Sequence, residues 1–263
     1  MPVTSGECVK VAVEDRVAVV TIDHRPVNAL NRQTLEELGA AADALAKDPA
    51  VKAVVITGGG SLAFVAGADI KEVGQMGSPK DAQEMAALGH SVFLKLQRLG
   101  KPVIAAINGV CLGGGLELAM ACHIRISGDR ARFGQPEVNI GIMPGWGGTQ
   151  RLPRLIGKAK ATEWILTGDM YGASEAARLG LVNLVVPQDQ VLKAAKDLAR
   201  KIAAKAGVAI TQSLRAIEQG MDLPLEQGLA KEAELFAAVA TSEDSKEGVK
   251  AFLEKRQPKF QDR

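Results

Sequence analysis

The chain has 263 residues, enough for one large domain or for a core with a smaller appendage around an apolar interior. Its 32 Lys and Arg residues nearly balance 30 Asp and Glu residues, and aromatic residues make up only 3%. This composition argues against nucleic-acid binding, which needs a basic surface and rings on which bases can stack.

The cysteines and histidines give no sign of a disulfide framework or a metal site. Cys8, Cys111 and Cys122 are odd in number and share no C-x-x-C spacing, so we expect reduced thiols in a cytoplasmic compartment. The N-terminus also lacks the profile of a secretory signal. The three histidines are isolated in sequence, and we expect no metal. Any chemistry must therefore use carboxylates, backbone groups or a group that the substrate carries.

The N-terminal part predicts strands that alternate with loops and helices. Residues 9–23 form two short strands joined through Asp15 and Arg16. A turn-rich loop follows at 25–31, and Asn31 is predicted to cap a helix that runs to Leu45. The next predicted elements are a buried strand at 51–57, glycine-bearing loops at 58–60 and 64–70, and a helix at 80–100.

The most informative stretch is 101–122, K-P-V-I-A-A-I-N-G-V-C-L-G-G-G-L-E-L-A-M-A-C. It predicts an apolar strand at 102–107, three glycines at 113–115, and a helix at 116–122 with Glu117 near its start. Adjacent glycines cost chain entropy, which indicates a need for bare backbone. The unpaired N–H groups at a helix start favour an anion or oxyanion, and a carboxylate in the same turn is placed for proton transfer.

A structural interpretation of this stretch competes with the catalytic one. The glycines would let the helix pack closely on the strand, and Glu117 would interact favourably with the positive end of its own helix. A membrane span is a third reading of about twenty mostly apolar residues. Asn108, Glu117 and four glycines within the run argue against it, and no membrane partner is expected.

The pattern of strand, glycine loop and helix occurs three times, and the third copy lies at 138–152. A further strand is predicted before it, at 123–127. Stacked units of this kind would gather their loops on one side of the molecule. Glu137 lies just before the third loop, and Pro136 disfavours a helical conformation at Gln135. Glu137 is therefore expected to project from a loop or a helix start.

Beyond residue 187 the sequence predicts amphipathic helices at 190–206, 208–221, 226–240 and 245–256. Their apolar faces need a partner surface. We expect a helical layer that packs on the core or on another subunit.

Several of these motifs resemble signature blocks of the enoyl-CoA hydratase (crotonase) family. They are F-V-A-G-A-D-I-K at 64–71, the 101–119 stretch, F-G-Q-P-E-V-N-I-G-I-M-P-G-W-G-G-T-Q-R-L at 133–152, T-G-D-x-Y-x-A-x-E-A-x-x-L-G-L-V at 167–182 and A-F-L-E-K-R at 251–256. The resemblance implies an α/β fold: a crotonase-like spiral of β-β-α turns over 1–189 and a C-terminal helical trimerisation region over 190–263. It also implies a homo-oligomer, a hexamer built as a dimer of trimers.

The same resemblance implies reversible hydration of trans-2-enoyl-CoA to 3-hydroxyacyl-CoA. The backbone N–H groups of Ala68 and Gly114 match the family's oxyanion hole, and Gly145 matches the glycine that helps to fix the water. Glu117 and Glu137 match its two carboxylates, and the sequence leaves open which is base and which is acid. Retention of both favours a hydratase. An enoyl-CoA isomerase or another crotonase-superfamily lyase is the alternative.

Other function classes have less support. Some relatives bind RNA, but the neutral charge and scarce aromatic residues argue against nucleic acid here. A non-catalytic acyl-CoA scaffold would not need two acids. The resemblance implies an acyl-CoA substrate and no separate cofactor, because CoA enters as part of the substrate.

The resemblance also implies where CoA binds. The matching positions are Val27, Ala29, Ala66, Ala68, Asp69, Ile70, Lys71, Phe252 and Lys255. The last two match residues that reach a neighbouring subunit's nucleotide, although Lys255 is equally explained as a solvated charge.

Three residues depart from the family pattern. Val65 replaces Cys or Ser, and we expect an effect on packing alone. His123 replaces Asp and is assigned no role. Trp146 stands where members range from Ala to aromatic residues, and its ring is predicted to narrow the acyl pocket and favour short chains.

Overall fold

A computed structural model describes residues 2–263; Met1, the first residue of the predicted core, lies outside the described residues. The described strands are β1 Pro2–Ser5, β2 Val9–Glu14, β3 Val17–Ile22, β4 Ala53–Gly58, β5 Ala63–Val65, β6 Val103–Ile107, β7 Val110–Leu112, β8 Ile124–Gly128, β9 Arg132–Gly134, β10 Tyr171–Gly172 and β11 Leu184–Val186. The helices are α1 Arg32–Lys47, α2 Ile70–Gly74, α3 Pro79–Gln97, α4 Gly114–Ala121, α5 Gly148–Ile156, α6 Lys158–Thr167, α7 Ala173–Arg178, α8 Val191–Ala203, α9 Gly207–Gly220, α10 Leu225–Ala240 and α11 Glu243–Leu253. Two 3-10 helices lie at Pro136–Ile140 and Gln188–Gln190.

The strands form two sheets, ordered β1-β2-β3-β4-β6-β8-β11 and β10-β9-β7-β5. In the larger sheet β3, β4, β6, β8 and β11 run parallel, and both β4 and β6 are buried along their whole length. That burial explains their unbroken apolar sequences, because a parallel strand covered on both faces has no solvent side. Helices α1 and α3 pack against each other, while α8 packs on β4, β6 and β8.

Successive turns of the chain alternate between the two sheets. Strands β4, β6 and β8 lie in the larger sheet, and β5, β7 and β9 follow them in the smaller one. Each pair then leads to a helical segment, so the chain forms a spiral of β-β-α turns. The predicted α/β class is confirmed. Within residues 2–263, no helix combines the length and the hydropathy that a membrane crossing requires.

Local signals in the sequence correctly located the first elements. Asp15 and Arg16 take positive φ angles between β2 and β3. The Asn31 side chain accepts a hydrogen bond from the Thr34 N–H at 2.8 Å and so caps α1 as predicted. The two best-defined local predictions, a hairpin turn and a helix cap, are therefore confirmed.

The prediction of a strand, a glycine loop and a helix over 138–152 was partly wrong. Residues 138–143 form no strand; Pro136–Ile140 is a 3-10 helix, and the strand of this unit is β9. Proline fixes φ and offers no N–H to a sheet, which favours a helical turn there. The alternating apolar residues serve another purpose, since Ile140 and Ile142 are exposed and line a cavity.

Helix α4 begins earlier than predicted and is held at its far end. Its first residue is Gly114 rather than residue 116. Beyond its C-terminus the buried Arg125 side chain donates to the carbonyls of Cys122 and Leu181, both at 2.6 Å. A cation near the last carbonyls opposes the negative end of the helix dipole. This contact fixes α4 with its N-terminus directed at the cavity.

The C-terminal helices differ in what they cover. Helix α8 packs on the larger sheet, whereas α9 and α10 pack chiefly on each other. Large apolar side chains of α9, α10 and α11 remain exposed, among them Ile217, Leu229, Phe236 and Phe252. The division of the chain at 189/190 stays a prediction.

Candidate active site

One cavity of about 580 Å³ collects loops from all three turns of the spiral. Its wall includes Ala66–Asp69 after β5, Gly113 and Gly114 after β7, and Glu137 with Gly145–Trp146 after β9. Met85 of α3 also lines the cavity. The predicted gathering of these loops on one side of the molecule is thus what the structure shows.

Two backbone N–H groups lie side by side in this cavity. Gly113 takes φ 51° and ψ −124°, which turns the chain sharply into α4 and requires glycine. A methyl group at Gly114 would lie 3.4 Å from the Ala68 nitrogen, so the two segments almost touch. Neither the Ala68 nor the Gly114 N–H donates to another group of the described chain. Both can therefore bind an external oxygen.

Glu117 lies one helical turn beyond Gly114, with only 1% of its surface exposed. Its Oε1 accepts hydrogen bonds from the Trp146 N–H at 2.8 Å and the Gly148 N–H at 2.7 Å. Burial raises the pKa of Glu117 to about 6, and these two N–H groups and the Arg151 charge oppose that rise. The carboxylate is thus a weakly acidic group that still ionises at neutral pH.

Glu137 approaches the cavity from the 3-10 helix and is half-buried. A methyl group at Gly113 would lie 2.9 Å from its Oε1. The buried Gln135 amide, oriented as its hydrogen bonds require, donates to both carboxylate oxygens at 3.0 and 3.2 Å. Burial raises the pKa of Glu137 to about 7, and the Glu117 charge adds to this rise. Burial thus disfavours ionisation of both acids, and the neighbouring carboxylate adds to this effect at Glu137.

Trp146 occupies a slot between two helices. A methyl group at Gly89 would lie 2.3 Å from its Cδ1, and one at Gly114 would lie 2.5 Å from its Cζ3. The indole N–H donates to the Met85 carbonyl at 3.1 Å, and the ring meets Phe93 edge-on. The ring is only 6% exposed, so it is a fixed part of the cavity wall.

The structure places the predicted CoA contacts in three locations. Ala66, Ala68, Asp69 and Ile70 line the cavity. The loop that contains Val27 and Ala29 runs beside them: the Ala66 N–H donates to the Val27 carbonyl at 3.1 Å, and Ala29 directly precedes the bridge between Leu30 and Ala68. Lys71 lies in α2. Phe252, 82% exposed, and Lys255 lie at the end of α11 and do not line the cavity.

The two remaining departures are structural. Val65 is buried in β5, where a methyl group at Gly115 would lie 2.0 Å from its carbonyl oxygen. His123 Nδ1 accepts a hydrogen bond from the Val103 N–H at 2.9 Å, and its Nε2 lies 3.3 Å from Glu218. Among residues 2–263, no three His, Cys, Asp or Glu side chains are grouped to hold a metal ion.

Three residues around the two carboxyl groups have no role in the predictions made from the sequence. Gln135 contacts Glu137, Arg151 stands behind the Trp146–Gly148 turn, and Gly89 leaves room for the indole. The first two lie inside the quoted motifs, so their position was a usable signal. Nothing in the sequence around Gly89 points to a ring that is distant along the chain.

The chain resembles known proteins over nearly its whole length. The family model described as enoyl-CoA hydratase/isomerase matches residues 12–263. A crotonyl-CoA hydratase of Syntrophomonas wolfei is 46% identical, over 94% of this chain and 95% of that protein. A short-chain-enoyl-CoA hydratase of Clostridium acetobutylicum is 47% identical, over 92% and 93%. The solved enoyl-CoA hydratase of Bacillus anthracis superimposes with a TM-score of 0.94 at 37% identity, covering 98% of this chain and 100% of that one.

Replacing Glu137 by Gln is expected to stabilise the protein at neutral pH. The pKa of Glu137 rises from its ordinary 4.5 to about 7 in the fold, so the native state binds the proton more tightly than the unfolded chain. Wild-type stability therefore falls as pH rises through this window, and Gln avoids that loss. We expect Glu137→Gln to gain about 1–3 kcal/mol near pH 7.5 and almost nothing near pH 4.

Urea unfolding at both pH values measures this difference. Glu84→Gln, on the exposed side of α3, is the matched control and should change little at either pH. Equal stability of Glu137→Gln and wild type near pH 7.5 would contradict the effect of burial.

Proposed function

The chain belongs to the enoyl-CoA hydratase/isomerase family, and we propose that it adds water reversibly to trans-2-enoyl-CoA to give 3-hydroxyacyl-CoA. The observation that carries this proposal is the convergence of two carboxyl groups and two unpaired N–H groups on one cavity. Hydration needs an electrophile, a base for the water and an acid for the neighbouring carbon. This cavity has a group for each.

In the proposed mechanism the thioester oxygen accepts hydrogen bonds from the Ala68 and Gly114 N–H groups. The double bond reacts with water only when the carbonyl withdraws its electrons, and these donors stabilise the enolate that forms. Loss of one such donor typically costs about 3 kcal/mol in barrier height. Because the donors are backbone groups, small residues suffice at both positions.

The two acids divide the proton transfers. Glu117, whose ionised form is favoured by two N–H groups and the Arg151 charge, orients and deprotonates the water that attacks C3. Glu137, with a pKa of about 7, holds a proton and delivers it to C2. Gly145 contributes its N–H to the water site. The different surroundings of the two carboxyl groups allow one to act as base while the other acts as acid.

An enoyl-CoA isomerase is the second candidate. It would move one proton between two carbons and so requires a single acid–base group. Here both carboxyl groups face one cavity, and the two relatives compared above are named hydratases. These observations favour the hydratase.

Replacing either acid by Gln should lower kcat for crotonyl-CoA by a factor of about 10²–10⁴ while thioester binding persists. Hydration removes the absorbance of the conjugated thioester, which gives the rate, and calorimetry with butyryl-CoA reports binding without reaction. Glu84→Gln again serves as the control. Full activity of Glu137→Gln would overturn the assignment of the acids. A wild-type enzyme that isomerises a 3-enoyl thioester but leaves crotonyl-CoA unchanged would favour the isomerase.

We further propose that the acyl pocket suits short chains. The Trp146 indole closes the wall between α3 and α4, and its hydrogen bond to Met85 prevents the ring from swinging aside. The two relatives compared above are named for crotonyl-CoA and short-chain substrates. A long acyl chain would have to displace a ring that is packed on both sides.

Trp146→Ala is expected to increase the ratio of kcat/KM for a ten-carbon thioester over the four-carbon one by about tenfold or more. Rates across a series of acyl lengths measure the ratio. Met143→Ala, an exposed lining residue, is the control for a general enlargement of the cavity. An unchanged chain-length preference in Trp146→Ala would exclude the ring as the determinant.

Oligomerisation would cover the exposed apolar side chains of the C-terminal helices, and we propose a hexamer of two trimers. The exposed surface holds more large apolar groups than a surface in water favours: Phe236, Leu229 and Leu225 of α10 and Phe252 of α11.

We place the enzyme in the cytoplasm, a compartment suited to its three free thiols.

Light scattering should give a mass of about six times the 27.6 kDa chain for the wild type. Phe236→Glu should lower it, because a charge buried in an apolar interface is costly. Lys231→Glu, on the same helix, controls for charge alone. A monomeric wild type would contradict the proposal.

A further inference from the structure

The turn that binds Glu117 is held from behind by one side chain. On its front, the N–H groups of Trp146 and Gly148 donate to the carboxylate. On its back, the Trp146 carbonyl accepts from Arg151 Nη1 at 3.0 Å, and the Gly147 carbonyl accepts from the Arg151 N–H at 2.7 Å. The Arg151 side chain therefore fixes the Trp146 carbonyl of the turn whose N–H groups hold Glu117, and the bond to Gly147 comes from the backbone of residue 151.

The contact between this guanidinium and the turn is close. Gly147 has φ 112°, a left-handed conformation that favours glycine. A methyl group at Gly147 would lie 2.2 Å from Arg151 Nη1. No larger residue could occupy this position without moving the guanidinium, so turn and side chain fit as one unit.

A neutral group holds the other edge of the guanidinium. Gln97, the last residue of α3, accepts hydrogen bonds through its Oε1 from Arg151 Nε at 3.2 Å and Nη2 at 3.1 Å. An amide oxygen fixes the orientation of the guanidinium without cancelling its charge. The carboxylate on which that charge acts is Glu117.

Few other charges face Glu117. Glu137 approaches from the 3-10 helix. Helix α3 and strands β5 and β7 also pack against α4, and they turn buried uncharged residues such as Phe93, Val65 and Cys111 inward. At the end of α4, burial raises the pKa of Cys122 to about 12, so that thiol is neutral. Arg151 is thus the cation that opposes the cost of burying the Glu117 charge.

We propose that Arg151 is a positioning residue: it clamps the turn that binds Glu117, and its charge, which Gln97 leaves uncancelled, favours the ionised carboxylate. This inference rests on the proposed function, in which Glu117 is the base. Removing the cation destabilises the ionised form, so Glu117 would take up its proton at a higher pH. The acid limb of the kcat/KM profile would then move upward in pH.

Three variants separate the clamp from the charge. Arg151→Met removes both, and we expect kcat to fall about 10–100-fold with little change in KM and the acid limb to rise by about one pH unit. Arg151→Lys keeps the positive charge but loses the planar guanidinium and its fork of N–H donors. The plateau rate should therefore fall, while the acid limb of the kcat/KM profile stays near its wild-type pH. Gln97→Glu is isosteric and cancels the charge, so the acid limb should rise while the plateau rate at high pH is retained.

Arg154→Met is the matched control. Arg154 lies on the same helix, is exposed, and within residues 2–263 donates only to Gln150 one turn away. Its removal should leave the rate and the pH profile unchanged. A ¹³C NMR titration of the Glu carboxyl carbons, compared with Glu117→Gln to assign the resonance, reports the Glu117 protonation without turnover.

The results distinguish the two proposals. Failure of the wild type to hydrate crotonyl-CoA would end the proposed function, and the NMR titration would still test the effect of Arg151 on Glu117. An active wild type whose acid limb and Glu117 titration are unchanged in Gln97→Glu and Arg151→Met would overturn the role of Arg151 alone. Should Arg151→Met fail to fold, the isosteric Gln97→Glu decides.

Discussion

The site depends on one constraint: two backbone N–H groups from separate turns of the chain lie side by side in one cavity. Ala68 follows β5 and Gly114 follows β7, and the parallel pairing of these strands brings the two turns together. The positive φ of Gly113 then directs the first N–H of α4 into the cavity. The spiral of the fold, the glycines and the anchored far end of α4 all serve this geometry.

Burial gives the two acids different properties within one cavity. Glu117 is almost fully enclosed, but two N–H groups and a nearby cation recover part of the lost solvation. Glu137 is less enclosed, but no cation of residues 2–263 supports its charge, and it faces the negative charge of its neighbour. Hydrogen bonds and a nearby cation therefore favour ionisation of the more deeply buried acid, whereas the charge of Glu117 disfavours ionisation of Glu137.

The sequence predicted what depends on neighbours along the chain. Asn31 and the Asp15–Arg16 turn are local signals, and both were correct. Glu117 near a helix start was also correct, whereas the start at Gly114 depends on a backbone angle that composition does not reveal. The strand expected at the start of the 138–152 repeat was wrong, because its apolar residues face a cavity instead of a sheet.

Partners that are distant along the chain lay beyond such reasoning. The resemblance pointed to Ala68, Gly145 and Glu137, and the structure brings them to one cavity. Gln97 and Arg151 are 54 residues apart, and Trp146 and Met85 are 61 apart. Their contacts arise only once the spiral has closed, so no local pattern records them.

Gly114 and Glu117 share one turn of α4, whereas Glu137 belongs to a separate segment of the chain. Any displacement of the helix as a rigid body carries the Gly114 N–H and Glu117 together and leaves their spacing intact. The same displacement changes the distance from either of them to Glu137. It also changes the distance between the N–H groups of Gly114 and Ala68, because Ala68 follows β5. Motion of α4 therefore alters the alignment between segments and preserves the spacing of the groups that α4 itself carries.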